Sequence, residues 1–334
     1  MIPATPLAAQ PESWQAEWRA SFTDPSALLA SLDLGALASR VIHPTRGEFP
    51  MRVPRPFVAR MRRADPNDPL LRQVLPFDDE LRPMPGFVDD AVGDLAARDA
   101  PGVIRKYRGR ALLITTGSCA VNCRYCFRRH FPYADENAAA GRWRDAIAWL
   151  ETQPDVSEVI LSGGDPLSLG TDRLAELTAG LSKIPHLRRL RIHTRLPIVL
   201  PSRVDRGLTD WLSGLPWPVV VVVHANHANE FDESVDASLA RLGRAGAVLL
   251  NQSVLLAGVN DSADALADLS ERAFEAGVLP YYLHALDPVR GAAHFDVPDA
   301  VARTLVAAIR DRLPGFLVPR LVREVPGATS KTPL

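Results

Sequence analysis

From residue 111 onward the chain alternates between short apolar or β-branched runs and longer segments whose apolar residues recur at spacings of three and four. The runs "ALLITT", "EVILSGG", "LRIHTR", "VVVVVHAN", "VLLNQSVLL" and "PYYLHAL" predict six strands. Segments 141–152, 171–183, 204–214, 232–245, 262–276 and 298–312 predict helices between and after them. Strand and helix in alternation build a parallel sheet. The polar motifs "TGSC", "SGGDP", "HTR", "HANHANE" and "LDP" each fall at or just past the C-terminal end of a predicted strand, which is where an α/β barrel assembles its site. Six units are too few to close an eight-stranded barrel. The expected fold is therefore α/β, a partial (β/α)6 barrel, with an open doubly wound sheet as the alternative.

Residues 1–100 are rich in Pro, Asp and Arg, with short helical patterns such as "PSALLASL" and loops such as "RADPNDPLLRQVLP". They predict an N-terminal, mainly helical extension. Residues 101–334 then hold the barrel and its C-terminal segment. With 47% hydrophobic residues the chain can bury a sizeable core. No stretch approaches the roughly 20 apolar residues of a membrane span, and the start "MIPATPLAAQPESWQAEW" lacks the pattern of a secretory signal. These features point to a cytoplasmic protein without a membrane partner.

A formal net charge of −1 removes the electrostatic reason to expect nucleic acid as a partner. Among 38 basic residues only Lys106, Lys183 and Lys331 are lysines, so chemistry that needs a primary amine has few candidates.

All three cysteines, Cys119, Cys123 and Cys126, lie in "SCAVNCRYCFRRH" with the spacing CxxxCxxC. An odd, clustered set cannot form a disulfide framework, and in a reducing compartment thiolates serve as metal ligands. Three thiolates would leave a 4Fe-4S cluster with one iron open for chemistry. A zinc ion with His130 as fourth ligand is a second reading. Three buried small hydrophobes are a third.

The stretch "CAVNCRYCF" resembles the signature of the radical S-adenosylmethionine (SAM) superfamily. That resemblance implies a 4Fe-4S cluster on Cys119, Cys123 and Cys126, SAM on the open iron, and a radical SAM barrel as the fold. It also gives meaning to "SGGDP". Gly163, Gly164 and Asp165 match the Gly-Gly-acid stretch that meets the SAM amino group. Two glycines permit close backbone approach, and Asp165 can shape the turn or accept a hydrogen bond.

Over nearly the whole barrel, the chain is similar to the lysine 2,3-aminomutase family. The similarity runs from "KYRGRALLITTGSCAVNCRYCFRRHF" through "HANHANEFDE", "LNQSVLLAGVND" and "YYLHALDPVRGAAHF" to the terminal lysine. It implies pyridoxal 5′-phosphate (PLP) as a further cofactor, carried by Lys331 after a Pro-Gly loop. Lys106, Tyr107 and Arg110 would meet the PLP phosphate, Arg128 the substrate carboxylate, and Asp287 and Glu324 the side-chain ammonium of lysine. The resemblance differs at Glu324, where an Asp is expected, and at His284, where a Tyr is expected. His224, His227 and Gln252 lie at strand ends as further cofactor contacts. The short tail after Lys331, "HFPYA" and "SKTPL" resemble the branch linked to elongation factor P. There (S)-α-lysine becomes (R)-β-lysine, which a lysyl-tRNA-synthetase-like ligase attaches to the factor. A reductant protein is implied as electron donor. The alternatives are an aminomutase for arginine or glutamate, and a non-catalytic iron–sulfur or zinc module.

Overall fold

The computed structural model describes residues 13–44, 49–134, 141 and 143–334. The first residues of the start that lacks a signal pattern, 1–12, and residue 142 of the expected helix 141–152 lie outside the described residues.

Among the described residues the strands form one sheet in chain order, β1 (Arg98–Ala100), β2 (Val103–Ile104), β3 (Arg110–Thr116), β4 (Glu158–Gly163), β5 (Arg189–Thr194), β6 (Val219–Val223), β7 (Val248–Val254), β8 (Leu279–His284), β9 (Arg320–Arg323) and β10 (Thr332–Pro333). From β3 to β9 every neighbouring pair is parallel. The pairs at either end, β1–β2, β2–β3 and β9–β10, are antiparallel. Each strand pairs with its chain neighbours, so no strand order reverses, and the doubly wound alternative is excluded. The six predicted strands are β3–β8, the expected partial (β/α)6 barrel. β9 adds a seventh parallel strand, because "RLVR" is too short and too charged to read as an apolar run.

Short helices α1 (Trp14–Arg19), α2 (Pro25–Ser31), α3 (Arg55–Val58) and α4 (Pro69–Arg72) precede the sheet. The outer layer is α5 (Arg144–Glu151), α6 (Thr171–Leu181), the single turn α7 (Leu196–Val199), α8 (Arg206–Ser213), α9 (Glu233–Arg244), α10 (Ala263–Glu275) and α11 (Asp299–Arg310). Their starts follow from capping. Asp205, Asp232 and Ser262 accept from the backbone N–H three residues on, which satisfies one of the otherwise orphaned donors of α8, α9 and α10. Each helix turns a stripe to the sheet, for example Leu266, Leu269 and Ala273 of α10.

β4 and β6 are apolar along almost their whole length, as strands covered on both faces must be. The main core joins the N-terminal helices to β3–β7, and a second cluster of Leu255, Leu266, Leu283, Val306 and Leu321 lies behind β8 and β9. Buried Glu80 locks the extension onto the cysteine loop. Its oxygens accept from Arg124 Nε and Nη2, each at 2.6 Å, and from Arg129 Nη2 at 2.5 Å.

Candidate active site

A cavity of about 470 Å³ opens at the C-terminal ends of the strands and runs down the inner face of the sheet. Cys119, Cys123, Cys126, Arg128, Gly163, Gly164, Asp165, Lys106, Tyr107, Arg110, His224, Gln252, Asp287, Glu324 and Lys331 all line it. His227 does not. Its Nδ1 accepts from Asn229 N at 3.1 Å, so it caps a short turn and the cofactor contact expected of it is corrected. His130 lies off the cavity as well, with Nε2 3.1 Å from the Arg290 carbonyl oxygen, which removes it as a fourth ligand beside the thiols.

The cysteine loop follows β3 and is seated by the Gly-Gly pair. Gly163 has φ +116°, and a Cβ there would lie 2.6 Å from the Thr116 carbonyl oxygen. At Gly164 a Cβ would run into the backbone of Gly117 and Ser118. Gly164 N donates to Thr116 O at 2.7 Å and Asp165 N to Ser118 O at 2.8 Å. The close approach these glycines permit is thus to the turn that leads into Cys119. The Asp165 carboxylate accepts from Leu167 N, Thr194 Oγ1, Arg195 N and Leu196 N. Burial raises its pKa and these bonds oppose the rise.

Burial raises the Cys119 thiol well above its usual range, and it raises Cys126 to about 11, with neighbouring thiols adding to both shifts. Among the described residues no group of three or more His, Cys, Asp or Glu is arranged to hold a single metal ion. Cys119, Cys123 and Cys126 line the same cavity, a thiol set that fits a 4Fe-4S cluster with one iron left open.

From the end of the cysteine loop an alternating chain of charges lines the cavity. Arg128 donates from Nη1 to Ser162 Oγ at 3.0 Å and from Nε to Asp94 Oδ2 at 2.7 Å. Asp94 Oδ1 lies 2.6 Å from Lys106 Nζ, which is 3.4 Å from Glu324 Oε1. Glu324 Oε1 also accepts from Tyr107 at 2.7 Å, and its Oε2 lies 2.7 Å from Lys331 Nζ. Burial pushes the Glu324 carboxyl up, but Lys331, Tyr107 and Lys106 outweigh it and hold the pKa below the usual value. Asp94 is held down in the same way, with Arg128 and Lys106 overcoming burial. Asp287 is different: burial raises it to about 7, Lys331 opposes the rise, and no group bonds its Oδ1.

Among the described residues several other buried polar atoms that line the cavity lack a partner: Arg110 Nε, His193 Nε2, His224 Nε2, Gln252 Oε1 and His284 Nε2. Buried polar atoms are normally satisfied, so an unpaired set facing one cavity fits a polar guest. Burial lowers His224 to about 4 and depresses His193 and His284 further, leaving three neutral imidazoles.

Sequence reasoning missed Asp94, Arg191, Tyr281 and Tyr282, and gave no role to His193 and Arg195 of the "HTR" motif, all of which also line the cavity. For Arg191 a signal existed, since β5 alternates Leu190, Ile192 and Thr194 on its buried face with polar Arg191 and His193 on the other. Asp94 carries no such mark in the irregular extension.

For a parallel partial barrel with this thiol loop at its C-terminal rim, comparison with known proteins gives the family. No protein-family profile matches the chain. The L-lysine 2,3-aminomutase of Escherichia coli (strain K12) is 47% identical over 327 residues, 97% of this chain and 94% of the relative. The Haemophilus influenzae enzyme of the same name is 40% identical over 332 residues, 99% of this chain and 98% of its own. That of Clostridium subterminale is 35% identical over 271 residues, 81% of this chain and 65% of its own. A solved radical SAM methyltransferase from Sphaerobacter thermophilus covers 66% of this chain at 18% identity and TM-score 0.44. The chain belongs to the L-lysine 2,3-aminomutase family, which consists of radical SAM isomerases working with a 4Fe-4S cluster, SAM and PLP.

Proposed function

We propose that this protein converts (S)-α-lysine to (R)-β-lysine with PLP as a required cofactor, and that the product serves the modification of elongation factor P. When bound, the cluster and SAM supply a radical that takes hydrogen from the substrate, and PLP carries the migrating amino group and spreads the unpaired spin. Cys119, Cys123 and Cys126 would hold the irons, and Gly163, Gly164 and Asp165 would shape the SAM side of the cavity. Lys331 would carry PLP, with Lys106, Tyr107 and Arg110 toward its phosphate.

The observation that carries the substrate reading is the spacing of charge along one wall. Arg128 stands at one end with a guanidinium suited to a carboxylate. Asp287 and Glu324 line the same cavity, Glu324 paired with Lys331 and Asp287 under the influence of its charge. An amino acid whose side chain ends in an ammonium complements both ends. A second carboxylate, as in glutamate, would meet two acids and be disfavoured. Glu324 already holds one alkylammonium, that of Lys331, which supports lysine over the broader arginine fork.

Asp94 holds Arg128 through its Nε, and the histidines and tyrosines that line the cavity offer groups that hold reactants in place. The test is a substrate panel of lysine, arginine and glutamate on the iron-reconstituted protein under anaerobic conditions, together with borohydride trapping of PLP and peptide mapping. Product from lysine alone and label on Lys331 support the reading. Label elsewhere, or turnover of arginine in preference to lysine, contradicts it. For the downstream role, elongation factor P from cells lacking this protein is expected to lose its β-lysyl group by mass spectrometry, and a retained group would separate the two functions.

A further inference from the structure

The motif "HTR" at the end of β5 and the acid of "HANHANE" have no part in the substrate contacts, yet they meet beside a cluster cysteine. Arg195 Nη1 donates to Cys123 Sγ at 2.7 Å and to Tyr125 Oη at 2.8 Å. Its Nη2 donates to Gln73 Oε1 at 2.6 Å and Glu230 Oε2 at 3.0 Å. Glu230 and Gln73 are fully buried, and Arg195 is 6% exposed. Further bonds complete the acid's side of the network, while Arg195 Nε is buried without a partner among the described residues. Glu230 Oε1 accepts from Gln73 Nε2 at 3.1 Å and Asn226 N at 2.8 Å, and Asn226 Nδ2 donates to Tyr125 Oη at 2.7 Å. Asp165 anchors the arginine backbone through Arg195 N at 2.7 Å. The guanidinium is thereby held against one sulfur through Nη1 and against the Glu230 carboxylate through Nη2, and it cannot lose its charge.

We propose that Arg195 is a positioning residue that raises the reduction potential of the cluster bound through Cys123, and that Glu230 limits how far it does so. The inference rests on the reading that the three cysteines carry a 4Fe-4S cluster. One-electron reduction by a low-potential donor adds negative charge to the cluster without making or breaking a protein bond. Cysteine sulfur then becomes a stronger acceptor, so a buried cationic donor stabilises the reduced form more than the oxidised one. Outer partners of metal ligands tune a centre in this way. Glu230 supplies the compensating negative charge and should act with the opposite sign.

The experiment is an EPR-monitored redox titration of the reconstituted full chain with dithionite and mediators, alongside iron and sulfide analysis. Arg195→Gln is expected to weaken reduction on the order of tenfold, about 59 mV for a one-electron couple. Arg195→Lys should fall between Gln and the parent, and Glu230→Gln should shift the potential upward. An unchanged midpoint in a fully loaded Arg195→Gln protein overturns the proposal, as does a downward shift in Glu230→Gln, which would mark disturbed packing rather than charge. If Arg195→Gln fails to fold, the order of the Lys and Glu230→Gln variants decides alone. A parent protein that takes up no iron and sulfide overturns the cluster assignment itself.

Discussion

Lys331 Nζ lies 2.7 Å from Glu324 Oε2, and the backbone puts it there. β10 pairs antiparallel with β9, Thr332 opposite Arg323, and the Pro326–Gly327 turn with Gly327 at φ +78° folds the chain back between them. The lysine that precedes β10 therefore faces the glutamate that follows β9. This returns a terminal amine to the cavity without a helix to carry it.

Lys331→Ala should remove the visible absorbance of protein-bound PLP and abolish turnover while leaving iron content unchanged. Absorption spectroscopy with iron analysis checks it. Retained absorbance would mean that another amine carries the cofactor.

Asp287 binds its proton up to about pH 7 in the folded chain, against an ordinary value of 3.8. Between those values the folded state holds a proton that the unfolded state has lost, so this group's contribution to stability falls as pH rises through the window. A substrate ammonium needs the ionised carboxylate, so lysine should bind more tightly as pH rises through about 7. Asp287→Asn should flatten that profile and weaken binding; calorimetric titration across this range decides.

Asp94→Asn removes the charge shared by Arg128 and Lys106. KM for lysine is expected to rise on the order of tenfold, the loss of one charge-assisted bond to the carboxylate anchor. A fall in kcat with KM unchanged would place Asp94 elsewhere in the reaction.

Gly164→Ala forces a methyl into the backbone of Gly117 and Ser118. It should cost about 1–3 kcal/mol and, because Ser118 leads into Cys119, reduce iron uptake. Thermal melting and iron analysis of the reconstituted protein test both parts together.

The barrel was legible because β3–β8 carry apolar runs and α8–α11 keep their apolar stripes, patterns set locally by burial. β9 was not, since two of its four residues are arginines and it is only four residues long. The cysteines stood out through spacing alone. Asp94 could not, since its partners Lys106 and Arg128 reach it only once the extension has packed over the rim. His227 was misplaced for a related reason: a strand-end position says which rim a residue occupies, while its side chain turned to cap the neighbouring backbone.

The measurement closest to the central claim is an anaerobic incubation of the iron-reconstituted protein with SAM, PLP, a strong reductant and (S)-lysine, with products resolved after chiral derivatisation. The account predicts (R)-β-lysine, dependent on all three cofactors. Release of deoxyadenosine without β-lysine from a fully loaded protein would contradict the lysine assignment, and absence of both would contradict the radical chemistry.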